Sequence, residues 1–229
     1  MNEYPANGAM YLGIRYDDMI DADGSQTSLL FDMVEVADNL IYFFIPIVVI
    51  ILAKDFSRRT AVNYLVSGGS REQFYFKKLT LSVLVMTGLL LFYYLLTYLC
   101  LRIFSVPMFS GTSVFPVFIG AVALQYLSLI AYTCFAVMLA AVSKNIVATV
   151  IGCILICYVP AGISEMIHTF FPGAYSILQR LDIIKNIRMA RYIQNLTAND
   201  ITSIVVIALI YILAFSFIGF LTMKRSDIK

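Results

Sequence analysis

Five stretches of the chain stay apolar over, or close to, the length of a membrane crossing, and the charged residues fall almost entirely between them. Crossing about 30 Å of hydrocarbon at about 1.5 Å per residue takes roughly 20 largely apolar residues. The pattern predicts spanning helices over 35–53, 79–101, 115–142, 146–164 and 201–223. The first has a strongly apolar heart only from Leu40 to Ala53, so it draws on its acidic approach or lies tilted. The third exceeds a straight crossing, which predicts tilt or an interfacial extension at Phe115–Pro116.

Two of the connections have periodicity of their own. In 165–200, Ile177, Leu178, Leu181, Ile184, Ile187 and Ile193 interleave with Arg180, Asp182, Lys185, Arg188 and Arg191. From Ala174 to Asn195 this spacing is helical, so helices lying at the membrane surface are expected, with Pro172-Gly173 as the break ahead of them. In the connection after the first span, Ser57 can cap a short helix whose stripe is Val62, Leu65 and Val66. Gly68-Gly69 ends that helix, and Ser70 caps the next one, which runs on into span two.

Composition settles the solvent. Apolar residues make up 61% of the chain and charged ones 13%, with mean hydropathy +0.87, far from the balance of a soluble domain. Lipid accepts apolar side chains outright and asks only that backbone groups be paired within each helix. The expected fold is an all-α integral membrane protein, a bundle of about five transmembrane helices in one domain. Residues 1–34 form an acidic segment ahead of it and 224–229 a tail. That leading segment has the reverse polarity of a cleavable signal.

The net charge of +2 points to no nucleic-acid partner, but its distribution gives an orientation. Lys54, Arg58, Arg59, Arg71, Lys77, Lys78, Lys144, Lys224, Arg225 and Lys229 fall on one side, opposed only by Asp55, Glu72 and Asp227. The other side holds the remaining acids, from Glu3 to Asp200. The basic side is expected to be cytoplasmic, with the C-terminus there and, for five spans, the N-terminus outside.

The span interiors contain no Asp, Glu, Lys, Arg or His, which weighs against proton pumps, ion-coupled carriers and intramembrane proteases. Their hydroxyls, among them Ser82, Thr87, Thr97, Ser128 and Thr133, are expected to knit helices together. Gln125 is the most polar residue there; its amide needs a partner in the bundle or a wet cavity, which makes it the candidate for lining a pathway. Pro46 and Pro160 interrupt spans one and four, and Ala136 and Ala140 permit close helix approach. Cys153 and Cys157 lie one helical turn apart, but with a single histidine, His168, they read as small hydrophobes and no metal site is expected.

The most informative segment is 53–78. Asp55, Arg59-Thr60, Asn63-Tyr64-Leu65, Gly68-Gly69, Ser70-Arg71, Phe74-Tyr75 and Lys77-Lys78 together resemble the permease subunits of ABC-2 type transporters. The resemblance implies that Phe56, Ser57, Arg58, Arg59, Thr60, Asn63, Tyr64, Leu65, Gly68, Gly69, Ser70 and Arg71 form a helix coupling to a separate cytoplasmic ATPase. That partner would bind ATP and magnesium, since this chain has no phosphate-binding G-x-x-x-x-G-K-[ST] loop and no cofactor is expected on it. The resemblance further implies a second permease chain, identical or related, in a bacterial plasma membrane, and export of a hydrophobic or amphipathic peptide, drug or lipid. Members usually have six spans and a cytoplasmic N-terminus; here the first helix is expected to be missing, so that 1–34 corresponds to the outer loop after it. The competing reading is a non-transporting scaffold or sensor component that uses the same cytoplasmic helix to recruit a signalling partner.

Overall fold

A computed structural model describes residues 10–11, 14–15, 33–48, 64, 67–103, 114–170 and 172–225. Among these the chain is helical, apart from a two-residue pairing of β1 (Met10–Tyr11) with β2 (Ile14–Arg15), antiparallel, Met10 opposite Arg15. The acidic leading segment thus holds a piece of β structure that its polar composition did not predict.

Four helices are long and apolar enough to cross a membrane: α2 (Arg71–Ile103), α3 (Val114–Ser143), α4 (Ile146–Phe170) and α7 (Ala198–Arg225). Each contains one of the predicted spans. The first span is described only as far as Val48. There α1 (Leu40–Val48) follows a short 3-10 turn at Ala37–Asn39, and Pro46 lies inside the helix. Residues 49–53 lie outside the described residues. Between α4 and α7 come α5 (Pro172–Leu181), α6 (Ile183–Met189) and a 3-10 turn over Ala190–Asn195. The expected break is there, with Pro172 as the first residue of a helix, where its missing N–H costs nothing.

The caps are read directly from side-chain chemistry. Ser70 Oγ accepts from the Gln73 N–H at 3.1 Å and starts α2. Asp182 accepts from the N–H groups of Ile184 and Lys185 and starts α6. Thr197 and Asp200 exchange hydrogen bonds, each backbone N–H donating to the other's side chain, a reciprocal box at the start of α7. α3 and α4 are joined by Lys144-Asn145. Lys144 adopts the left-handed conformation, φ 50°, and the Asn145 side chain accepts from the Val147 N–H.

α3 is the hub. Buried residues make up 61% of its most apolar stretch, against 17 or 18% in α2, α4 and α7. Its most extensive partner is α7, with α2, α4 and α6 around the rest. Leu129, Tyr132, Ala136, Ala140 and Ala141 of α3 pack with Phe44, Met86, Cys153, Ile187 and Met223 in the main core. Ala136 and Ala140 are fully buried, as expected of residues that let helices approach closely. The outer faces of α2, α4 and α7 carry exposed Leu91, Phe92, Leu155, Tyr158, Leu213 and Phe217. Such a surface is costly in water and neutral in lipid.

The helices alternate in direction and bring the connections to two ends. At the Ser70 end, Glu72 pairs with Lys224 at 3.3 Å, and Phe76 lies 5.7 Å from Phe220. At the Asp182 end, the approach to α1 is held by two ion pairs to the α6 region, Arg188 Nε to Asp38 Oδ2 at 2.9 Å and Arg191 to Glu35. Among the described residues, Arg71, Lys77, Lys78, Lys144, Lys224 and Arg225 gather at the Ser70 end with Glu72 as the lone acid. The charge partition read along the sequence is therefore a partition between two ends of the bundle.

Candidate functional site

The junction ahead of α2 is built from local geometry. Gly68 takes φ +91°, which an L side chain adopts only under strain. The Gly69 N–H donates to the Tyr64 carbonyl at 3.1 Å, the 6→1 bond of a Schellman helix terminus. A methyl group on Gly69 would overlap the Tyr64 ring, so only glycine lets the chain turn this closely. Ser67 Oγ donates to the same carbonyl at 2.8 Å. Three residues later Ser70 caps α2, so the turn runs into the next helix almost without slack.

Side chains of α2 then lock the turn. The Lys77 ammonium donates to the Tyr64 hydroxyl oxygen at 3.0 Å and also lies 5.0 Å from the centre of its ring. The Tyr64 ring is 5.5 Å from that of Phe74, which is buried. Beside the junction, Ser70, Glu72, Gln73, Phe76, Lys77, Thr80, Leu81 and Leu84 line an open groove of about 700 Å³. On the inner face, Tyr75 is almost fully buried against Gly219 of α7, and its hydroxyl has no hydrogen-bond partner among the described residues.

Of the predicted coupling residues, the structure therefore places Tyr64, Gly68, Gly69, Ser70 and Arg71 together at the start of α2. Phe56, Ser57, Arg58, Arg59, Thr60, Asn63 and Leu65 lie outside the described residues. The turn and the second cap are as expected from Gly68-Gly69 and Ser70. The Tyr64–Lys77 contact was not anticipated, although the aromatic and basic residues that make it stood in the motif.

Gln125 is fully buried and partnered at both ends of its amide. Its Nε2 donates to the Val34 carbonyl at 2.6 Å and its Oε1 accepts from the Tyr94 hydroxyl at 3.0 Å. The partner lies in the bundle, and the residue ties the approach to α1, α2 and α3 together. The span hydroxyls meet the expectation in part: Thr87 of α2 bonds across to Tyr126 of α3 at 2.8 Å, and Thr149 of α4 to Ser143 of α3 at 2.9 Å. Ser82, Thr97, Ser128 and Thr133 donate to the carbonyl four residues back in their own helix. Further cross-helix bonds come from tyrosines: Tyr93 to the Met33 carbonyl, Tyr132 to the Cys153 carbonyl and Tyr211 to the Leu181 carbonyl. The high tyrosine content was the available signal.

A second cavity, of about 290 Å³, lies where α4 and α7 are spread apart by the α5–α6 elbow. Its walls are Ile156, Val159, Pro160 and Ile163 of α4, Leu178, Leu181 and Ile183 of the elbow, and Tyr211 and Phe215 of α7, with Asp182 and Ser164 as its polar members. It suits an apolar or weakly amphipathic guest. Among the described residues no three His, Cys, Asp or Glu side chains converge as metal ligands. Cys157 Sγ sits 3.3 Å from the Cys153 carbonyl, the back-bond of an ordinary helical thiol.

No curated protein and no solved structure matches the chain. A family model described as "Protein of unknown function (DUF2705)" matches residues 6–229. Helices, junction and elbow all fall within that match, and the chain belongs to the DUF2705 family.

Proposed function

We propose that the chain is the membrane-spanning permease subunit of an ATP-driven ABC-2 type exporter in a bacterial plasma membrane. It works with a separate cytoplasmic ATPase and a second permease chain. The Ser70 end faces the cytoplasm, where its excess of Lys and Arg is favoured. The observation that carries the reading is the set of close contacts that ties Tyr64 to the Gly68–Gly69 turn and the start of α2. Tyr64 is fastened to the start of α2 by the Gly69–Tyr64 bond, the Ser70 cap and the Lys77–Tyr64 contact. Force applied to residues 56–66 would then pass into α2 as a rigid-body tilt, and through the Glu72–Lys224 pair and the Tyr75–Gly219 contact into α7.

The cargo is a hydrophobic or amphipathic molecule. The apolar cavity between α4 and α7 supports this, as does the absence of ionisable residues from the span interiors. The chain's part is mechanical, and ATP and magnesium belong to the partner.

Purification from native membranes in mild detergent, with identification of every associated chain, tests the reading. The expected companion is a soluble ATPase with a phosphate-binding loop, and its ATPase activity in proteoliposomes should fall on R58E/R59E substitution while the chain still inserts. A preparation that retains a signalling protein and no ATPase would overturn it in favour of a scaffold.

A further inference from the structure

At the Asp182 end a cavity of about 190 Å³ opens between α5–α6 and the first turns of α7. Its volume is that of roughly six waters, enough for a phosphate or carboxylate and its first carbons but not for a nucleotide. The polar groups facing it are unevenly matched. Lys185 is half-buried, and among the described residues its ammonium has a neutral partner, the Gln179 amide oxygen, and no carboxylate within ion-pair reach. Burial pushes that ammonium below its ordinary value, against the opposing pull of Asp182, whose carboxylate is already taken by two backbone N–H groups.

Ser203 is the second unmatched group. Its neighbour Thr202 donates back to the Ala198 carbonyl at 2.8 Å, whereas Ser203 makes no such bond and lines the cavity. Asp200 also lines the cavity as a carboxylate, with its own partners. It accepts from the Thr197 hydroxyl at 2.7 Å and faces Arg180 at 3.9 Å. The floor is apolar, formed by Met189, Ile204 and Ile207, and it leads along α7 toward the hydrocarbon.

We infer that this cleft binds the anionic headgroup of a membrane lipid, with Lys185 and Ser203 taking the headgroup oxygens and Met189, Ile204 and Ile207 the start of the acyl chain. A half-buried cation with no carboxylate in contact is costly, and an incoming phosphate offsets the cost with a charge-assisted hydrogen bond. The apolar floor then distinguishes a lipid from a free anion. The site stands independently of transport, needing only a bundle set in a membrane.

Binding of dihexanoyl phosphatidylglycerol to the full chain in detergent, measured calorimetrically, tests the assignment. Saturable binding is expected, with dihexanoyl phosphatidylcholine weaker by about tenfold or more. K185Q should weaken phosphatidylglycerol by about tenfold and S203A by about threefold. Without lipid, K185Q should unfold at the same temperature or higher, because a half-buried charge held by a neutral amide has been removed. A lowered unfolding temperature with unchanged lipid binding would make Lys185 structural and overturn the proposal. Inorganic phosphate displacing the lipid at equal concentration would overturn the lipid assignment, as would equal affinity for phosphatidylcholine.

Discussion

Tyr75 presses a buried hydroxyl, without a partner among the described residues, against the backbone of Gly219, an arrangement that costs stability and holds two helices at contact distance. An unsatisfied buried polar group costs about 1–3 kcal/mol, so Y75F should raise the unfolding midpoint, with a gain of about 1 kcal/mol. G219A should lower stability by about 1–3 kcal/mol, because its methyl would overlap the phenol ring and α7 cannot shift without disturbing α3. Thermal unfolding of both variants in detergent checks the pair, and a destabilised Y75F would mean that the hydroxyl has a favourable role. Single residues were partly legible in the sequence. Ser70 and Gly68 announce themselves, since capping and left-handed backbone are properties of one side chain and its immediate neighbours. The bond partners of Tyr93, Tyr132 and Tyr211 were not legible, because they lie at least twenty residues away and depend on how the helices cross.

Among the elements, the α5–α6 elbow is the one that binds others to itself. Arg188 and Arg191 hold the approach to α1, and Tyr211 of α7 reaches the Leu181 carbonyl at 2.6 Å. The Asp38 side chain is 12% exposed and Arg188 56%, so their pair is only partly screened. D38N and R188Q should each destabilise the bundle, and the double variant should be no worse than the poorer single one, with a coupling of about 1 kcal/mol. Additive losses in that double-mutant cycle would show that the pair contributes nothing. The long helices were readable from apolar runs alone, for hydrocarbon demands a continuous stretch and leaves little room for error. The elbow was readable as helical periodicity, but Asp182 as the cap dividing it looked like one more charge among several. α1 was the least certain element, and its opening 3-10 turn falls where the apolar pattern weakens, around Asp38 and Asn39.

For the molecule as a whole, the charge partition predicts an experiment on sidedness. In a Cys100→Ser background, which removes the exposed native thiol, S67C should react with a membrane-impermeant maleimide only after the cells are opened. T197C, at the other end, should react in intact cells. The reverse pattern would invert the bundle and remove the junction from any cytoplasmic motor. Which end faces which compartment was legible only as a statistical preference of Lys and Arg, whereas the separation of the two ends follows from the alternation of the helices. The central position of α3 bears on how the protein is made. The hub leans chiefly on α7, which leaves the ribosome after α3 and α4, so the core around α3 must wait in lipid, unclasped, until that helix has been made. Closure of the bundle therefore waits on α7, and a polypeptide stopped before residue 198 would carry α2, α3 and α4 without the helix that packs most extensively on the hub.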